Sequence, residues 1–337
     1  RNDPLAFRMP DPALGSHSIS CSGMLSVYVV IVVLLTSICG HAVDAGTRIL
    51  RREGTAVGHL TAEDDGRALQ DDVLEARQML YRNLEFPSTS PYNFTNYKHK
   101  EYTCVRGSQN GQDAWVDDTL GHREGLFVVE SGAWDGEEMS NSIGLETFRK
   151  WRCLLVEPNP VSQRSILGKH RQCHLLRGAF NADSALHSLN KFWMAGGLGG
   201  FNETIGDRER AAGAVAHSRT IDGDHAPFSG EMIDVQSFRV DFVMNELGVR
   251  TIDYWSLDTE GSELNILKNT DFSKLEVGLL TIEHNDKEEI RNAIYDVMGN
   301  NGFIRIKRLG ADDGYANPGY FKVRNIVFPE PCDEECK

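Results

Sequence analysis

Positive charge is scarce in this 337-residue sequence, where 35 Lys and Arg residues stand against 49 Asp and Glu residues. The formal net charge of −14 at pH 7 repels phosphate backbones, so we expect no nucleic acid partner. The GxGxxG fingerprint of dinucleotide-binding sites is absent. The glycine-rich residues 194–200 lack the lysine and hydroxyl residue of a P-loop, and we predict a flexible lid there.

Cysteine is also sparse, with seven residues in the chain. None combines the close spacing and the histidines that a structural zinc site requires, so we predict no metal site. Cys153 begins a predicted buried strand, and we expect it to be a small core residue. Cys332 and Cys336 are expected either to close a small terminal loop with each other or to pair with Cys104.

Long apolar runs are limited to residues 24–39, which are uncharged and somewhat shorter than the roughly 20 residues of a spanning helix. Small residues follow at Ala42 and Ala45, where signal peptidase could cut. We therefore expect residues 24–45 to be a signal peptide, with an uncleaved signal anchor as the alternative. Residues 1–23 are expected to be a flexible or non-native extension. The predicted destination is the secretory pathway, as a secreted or membrane-anchored protein.

Residues 46–100 are predicted to form a charged stem with an amphipathic helix at 71–84. Its basic residues 48–52, RILRR, have three interpretations: a solvated cluster, a proprotein-convertase site, or the RxLR host-entry motif of secreted pathogen effectors. In the secretory pathway, Asn93 in NFT and Asn202 in NET would be glycosylation acceptors.

An apolar strand at residues 126–129 runs directly into an acidic, glycine-bearing turn in the sequence FVVESGAWDGEEMSN. Gly132 and Gly136 allow a tight turn, while Glu130 and Asp135 place carboxylates at the carboxyl end of the strand. A second strand, CLLVEPNP, ends at Glu157, in a position to accept hydrogen bonds from both hydroxyls of a ribose. This order predicts a ligand crevice in a Rossmann-like sheet.

Strands and helices alternate through the rest of the chain, in segments that include MIDVQSF, SFRVDFVMNELG, TIDYWSLD and GLLTIEHN. Alternation of this kind predicts an α/β fold with a mostly parallel sheet. A final pair of strands at residues 303–308 and 320–328 is predicted to form an antiparallel edge hairpin. The predicted domain covers residues 101–330, and residues 331–337 form a cysteine-containing tail.

Four segments together, ESGAWDGEEMSN, LLVEPNP, DYWSLDTEGSELNIL and LLTIEHN, resemble the FkbM-type family of S-adenosylmethionine-dependent methyltransferases, and more closely its animal branch of Star proteins. The resemblance covers about two thirds of the chain. It implies a class I methyltransferase fold with S-adenosyl-L-methionine as cofactor. It also implies a cofactor site, for which the candidate residues are Glu130, Gly132, Ala133, Asp135, Gly136, Glu157, Asn159, Asp183 and Asp258.

Methyl transfer to a hydroxyl requires a base, and the candidates are His284, Glu260 and Glu283. His284 is the natural base because its ordinary pKa is near neutrality, although IEHN could equally cap the following helix. We expect O-methyl transfer to an unidentified small-molecule or glycan acceptor. The alternatives are an inactive Star-like protein that binds membrane-protein cargo, and a secreted effector on the same fold.

Overall fold

The computed structural model describes residues 62–97, 104–204 and 231–330; for residues 62–69 it describes the backbone alone. The expectations for residues 1–23, the signal segment 24–45, the basic residues 48–52 and the tail 331–337 therefore lie outside the described residues. No helix in the described ranges is long and apolar enough to cross a membrane.

The chain alternates helices and strands, as the sequence predicts. In order, the elements are α1 (Ala62–Asn83), β1 (Leu84–Glu85), α2 (Gln112–Thr119), β2 (Phe127–Ser131), α3 (Ile143–Arg149), β3 (Arg152–Val156), α4 (Pro160–Gly168), β4 (His174–Leu176), β5 (Ala179–Phe180), β6 (His187–Met194), β7 (Gly200–Phe201), β8 (Glu231–Phe238), α5 (Val240–Glu246), β9 (Thr251–Leu257), α6 (Glu263–Lys268), β10 (Glu276–Glu283), α7 (Glu288–Asn300), β11 (Ile304–Leu309), β12 (Asp312–Ala316) and α8 (Pro318–Arg324).

Eight strands form the main sheet in the order β1-β4-β3-β2-β9-β10-β12-β11. The five strands from β4 to β10 are parallel to their neighbours, whereas β1 and the β11–β12 hairpin are antiparallel at the two edges. This confirms the predicted α/β fold with a Rossmann-like, mostly parallel sheet and an antiparallel edge hairpin. A second sheet, β5-β8-β6-β7, is built largely from the segment between β4 and α5.

Both faces of the main sheet are buried. Along β2, Val128 belongs to one hydrophobic cluster and Val129 to another, because successive side chains of a strand point to opposite faces. Tyr254 and Trp255 divide in the same way along β9. Burial on both faces explains why these strands are continuous apolar runs rather than alternating ones.

The prediction of a last strand at residues 320–328 was wrong. Most of it is helix α8 or lies beyond it, and the partner of β11 is instead β12, in the acidic sequence DDGYA. The Asn317 side chain accepts hydrogen bonds from the Gly319 and Tyr320 amides, and Pro318 follows at the first helical position. An Asn-Pro pair of this kind is a signal for the beginning of a helix rather than of a strand.

The prediction for Cys153 was also wrong, because Cys153 forms a disulfide with Cys173. The bond joins β3 to the residue before β4, and both cysteines are buried. Cys104 is exposed and forms no disulfide with another cysteine of the described ranges, while its predicted partners Cys332 and Cys336 lie outside them.

Removing the disulfide should lower the free energy of unfolding by about 2 to 4 kcal/mol, because the bond closes a loop with a sequence separation of 20 residues. Guanidinium unfolding of the Cys153→Ala, Cys173→Ala double variant measures this. The matched control is Cys104→Ser, which should unfold at the wild-type midpoint. Equal midpoints for the double variant and the control would contradict the prediction.

Candidate active site

The carboxyl ends of β2, β3, β9 and β10 border a cavity of about 450 Å³. The cavity lies where the order of the sheet reverses, between β2 and β9, which is where open α/β sheets bind ligands. Seven of the predicted site residues line it: Glu130, Gly132, Ala133, Glu157, Asp258, Glu260 and Glu283. Its size is typical of a site for a small molecule.

Gly132 allows the loop after β2 to approach the loop after β9 closely. Its φ of +88° belongs to the left-handed region that favours glycine, and a Cβ built on it would lie 1.8 Å from the carbonyl oxygen of Asp258. The Asp258 amide in turn donates a 3.0 Å hydrogen bond to the Ser131 carbonyl. The loops after β2 and β9 therefore touch backbone to backbone, and this contact leaves no room for a side chain.

Glu157 lies just after β3, buried in the cavity wall. Its Oε1 accepts a 2.8 Å hydrogen bond from the Asn159 amide, and its Oε2 accepts one of 2.8 Å from the Trp134 amide. These amides fix the carboxylate, while each oxygen keeps a lone pair for a ligand. Burial raises the pKa of Glu157 to about 8.

Glu130 is enclosed by the turn that follows β2. Its carboxylate accepts hydrogen bonds from the hydroxyls of Ser140 and Ser142 and from the Asn141 amide. Burial raises its pKa, and the nearby Arg171 guanidinium opposes that rise. Glu130 thus holds the loop that forms one wall of the cavity, in addition to lining it.

Four other predicted cofactor residues do not line the cavity. The Asp135 carboxylate accepts hydrogen bonds from the backbone amides of Glu137 and Glu138 and so shapes the turn. Gly136 has a φ of +77°, and a Cβ there would lie 2.9 Å from Ile166 Cγ1. These two residues support the wall of the cavity from behind.

Asn159 caps helix α4 by accepting a 2.9 Å hydrogen bond from the Val161 amide. Asp183 is exposed and accepts hydrogen bonds from Ala185 and Ser188 in a turn of the second sheet. The adjacent Ala179 and Phe180 do line the cavity.

The far end of the cavity is acidic. Carboxylate oxygens of Asp258, Glu263 and Glu283 all lie within 4.8 Å of one another, and Asp312 is paired with Glu283 across β10 and β12. Burial is the largest cause that raises the pKa of each of these four groups. After burial, the nearby Asp258 carboxylate is the next cause that raises the pKa of Glu283.

His284 does not line the cavity. The ring is buried, its Nδ1 accepts a 3.1 Å hydrogen bond from the Asp286 amide, and its Nε2 lies 3.7 Å from Asp313 Oδ1. Asp313 is also bound by Arg291. The imidazole is therefore positioned by the start of the following helix and by β12.

Sequence reasoning missed Asn141, Asp312 and Gln112 as cavity residues. Asn141 belongs to the first motif, but nothing in the sequence spacing shows that its side-chain amide donates a hydrogen bond to Ser256 Oγ on β9. Asp312 and Gln112 are hydrogen-bonded to each other from 200 positions apart in the sequence. Asp312 and Gln112 could have been identified as cavity residues only if β12 had been placed beside β10.

The family model of the methyltransferase FkbM domain matches residues 130–305. No curated protein matches the chain. Among solved structures, the chain is similar to a precorrin-6y C5,15-methyltransferase from Geobacter metallireducens GS-15, with 11% identity over 67% of this chain and 97% of that one and a TM-score of 0.34. It is also similar to a methyltransferase from Pyrococcus furiosus, with 12% identity, 74% and 95% coverage and a TM-score of 0.31.

Proposed function

The chain belongs to the FkbM methyltransferase domain family, and we propose that it binds S-adenosyl-L-methionine in this cavity and transfers the methyl group to a hydroxyl oxygen. The observation that carries the proposal is the position of Glu157. Its carboxylate is fixed at the end of β3, next to the close contact of Gly132 with β9, in the wall of one open cavity.

The residues present fit this cofactor. Glu157 would accept the ribose hydroxyls, and Val156, Ala179 and Phe180 provide apolar surface beside it for the adenine. The indole Nε1 of Trp134, which lines the cavity, has no hydrogen-bond partner among the described residues. When bound, S-adenosylmethionine supplies a methyl carbon on a positively charged sulfur, and the bond from that carbon to the sulfur breaks as an oxygen takes the methyl group.

The Asp258–Glu283 pair supplies the base in this proposal. Both carboxyl groups line the cavity beyond Glu157 in the order of the sheet, and their oxygens lie within 4.8 Å of each other. The ionised member would accept the proton that leaves the acceptor hydroxyl. We assign the base here rather than to His284, because His284 is outside the lining. Glu260 lines the same end and is a further candidate.

The open cavity supports an enzyme over a Star-like cargo-binding protein. A cargo binder has no need of space beside the methyl group and could fill it with Trp134 or Trp255. Trp255 is instead fully buried in the core, where its Nε1 donates to Ser131 Oγ. Cargo binding, like the secreted-effector alternative, would gain support if the domain bound cofactor without transferring a methyl group to any hydroxylated acceptor.

We also propose that the domain folds in the secretory pathway. The Cys153–Cys173 disulfide supports this, since such bonds are rare in the reducing cytosol. Asn93 lies in an exposed segment, which is compatible with an attached glycan, whereas Asn202 is partly buried. A glycan at Asn93 rather than Asn202 is therefore the better proposal.

Replacing Glu157 with alanine should weaken S-adenosylmethionine binding on the order of tenfold or more when the pH exceeds the Glu157 pKa of about 8, because charge-assisted hydrogen bonds to both ribose hydroxyls are then lost. Isothermal titration calorimetry measures the change. The control is Glu289→Ala, which removes an equal charge from the exposed first turn of α7 and should bind as the wild type does. Unchanged affinity in Glu157→Ala would place the ligand elsewhere.

A further inference from the structure

Arg171 is a buried cation that the proposed mechanism does not use. It lies between α4 and β4, its side chain is only 1% exposed, and it is not among the described residues that line the cavity. A guanidinium group is rarely buried unless several acceptors replace its hydration. The acceptors of Arg171 therefore indicate which part of the protein this charge organises.

The guanidinium group of Arg171 binds three points of the turn between β2 and α3, residues 132–142. Its Nη1 donates to the Gly136 carbonyl and makes a longer contact of 3.4 Å with Ser140 Oγ, while its Nη2 donates to Ser142 Oγ at 2.8 Å. Both hydroxyls in turn donate to the carboxylate of Glu130. Arg171 thus connects the middle and the end of the turn to the last residues of β2.

The part of the turn that Arg171 binds presents residues to the cavity in a strained backbone conformation. Met139 has a φ of +59°, in the left-handed region that side chains rarely adopt. A strained position of this kind persists only where surrounding contacts hold it. Glu138, Met139 and Asn141 all line the cavity. Loss of the Arg171 contacts would therefore move one wall of the cavity.

Arg171 is itself fixed from two sides. Its Nε donates to Glu146 Oε2 on α3, and Glu146 Oε1 accepts a 2.6 Å hydrogen bond from the amide of Gln172. The disulfide between Cys173 and Cys153 joins the following residues to β3. The guanidinium group is thus held in place by the fold and requires no ligand to order it.

The order of the strands indicates which part of the cofactor meets this wall. Ala179 and Phe180, which we propose to contact the adenine, follow β4, and Glu157, which we propose to bind the ribose, follows β3. β2 is the next strand of the sheet, on the side of β3 away from β4. A cofactor that crosses the strand ends in this order has its amino-acid part beside the turn after β2.

The adenosine side of the cavity is fixed by other contacts. At the start of the turn, the amides of Gly132 and Ala133 donate to the Val156 carbonyl at the end of β3. Glu157 is held by the amides of Trp134 and Asn159. These hydrogen bonds join β3 to the first residues of the turn and do not pass through Arg171.

We infer that Arg171 is a positioning residue: it holds the turn after β2 in the shape that binds the amino-acid part of S-adenosylmethionine, and it does so without contacting the cofactor. The inference rests on the proposed function. Its consequence is selective, because removal of the guanidinium group should affect the amino-acid part of the cofactor and spare the adenosine part.

Two ligands that differ in the amino-acid part test the inference. S-adenosylhomocysteine carries this part, whereas methylthioadenosine keeps the adenosine and the sulfur but lacks it. In calorimetry with one buffer throughout, Arg171→Gln should weaken S-adenosylhomocysteine binding about tenfold, the equivalent of one lost hydrogen bond to a charged group, and leave methylthioadenosine binding unchanged. A residue that only supports folding would weaken both ligands alike.

Arg149→Gln is the matched control. It breaks the two hydrogen bonds between Arg149 and the buried Asp117, both of them outside the described cavity lining, and it should bind both ligands as the wild type does. Arg171→Gln leaves the buried Glu146 without its ion pair. The Glu146→Gln, Arg171→Gln double variant removes both charges, and it should show the same selective loss.

Four results would overturn the inference. Equal loss of both ligands, or wild-type affinity for S-adenosylhomocysteine, in the folded single or double variant would reject the positioning role and leave the proposed function standing. Unfolding of both variants, with Arg149→Gln folded, would assign Arg171 to the stability of the domain instead. Failure of the wild type to bind either ligand would reject the proposed function itself.

Discussion

Gly132→Ala should lose about 4 kcal/mol or more of unfolding free energy and all measurable binding of S-adenosylmethionine. The new Cβ would lie 1.8 Å from the Asp258 carbonyl oxygen, a distance that the two loops can relieve only by moving apart. Because this contact joins β2 to β9 at the edge of the cavity, the movement opens the proposed cofactor site. Chemical unfolding and calorimetric titration measure the two effects.

Gly125→Ala is the matched control. Gly125 has a similar φ of +71°, but nothing lies within 4 Å of a Cβ built there. The control should cost about 1 to 2 kcal/mol, the usual penalty for a side chain in the left-handed region, and it should bind cofactor normally. If the two variants were equally stable, the space restriction between Gly132 and Asp258 would have no effect on the free energy of unfolding.

Glu283→Gln should lower turnover by about a hundredfold or more, the usual size of a lost general base, and leave the affinity for S-adenosylmethionine nearly unchanged. Glutamine keeps the shape and can still bond to Asp258, but it cannot carry the proton. Because burial raises the pKa of both partners, the pair is protonated in mildly acidic solution. Wild-type turnover should therefore rise as the pH increases through neutrality, and the variant should lack this rise.

Glu288→Gln, in the exposed first turn of α7, is the control and should retain wild-type turnover. His284→Gln distinguishes the two candidate bases. A hundredfold loss in His284→Gln with cofactor affinity intact, together with normal turnover of Glu283→Gln, would return the role of base to His284. Loss of both cofactor binding and turnover in His284→Gln would show that the buried ring supports the helix that follows β10.

The sheet could be predicted from the sequence because its parallel strands are buried on both faces. Strands such as β2 and β10 are apolar runs whose ends are marked by acid and glycine. β12 could not be found in this way: its sequence DDGYA has low strand propensity, and it is a strand only because it pairs with β10 and β11. A pairing between distant segments leaves no periodic pattern in either one.

For the candidate site, the sequence predicts which residues lie at the edge of the sheet but not where their side chains point. Residues that end parallel strands, such as Glu157 and Glu283, must meet at one edge of the sheet, and their place in the cavity follows from that rule. Side-chain direction does not follow from it. His284 adjoins Glu283 in the sequence but lies outside the lining, since neighbouring residues at a strand end point to opposite sides.

Calorimetric titration of the wild-type domain with S-adenosylmethionine tests the central claim most directly. We predict saturable binding of one molecule per chain, competed by S-adenosylhomocysteine and weakened about tenfold or more in Glu157→Ala. The absence of saturable binding by the folded domain would contradict the account, as would binding that the Glu157 variant retains in full.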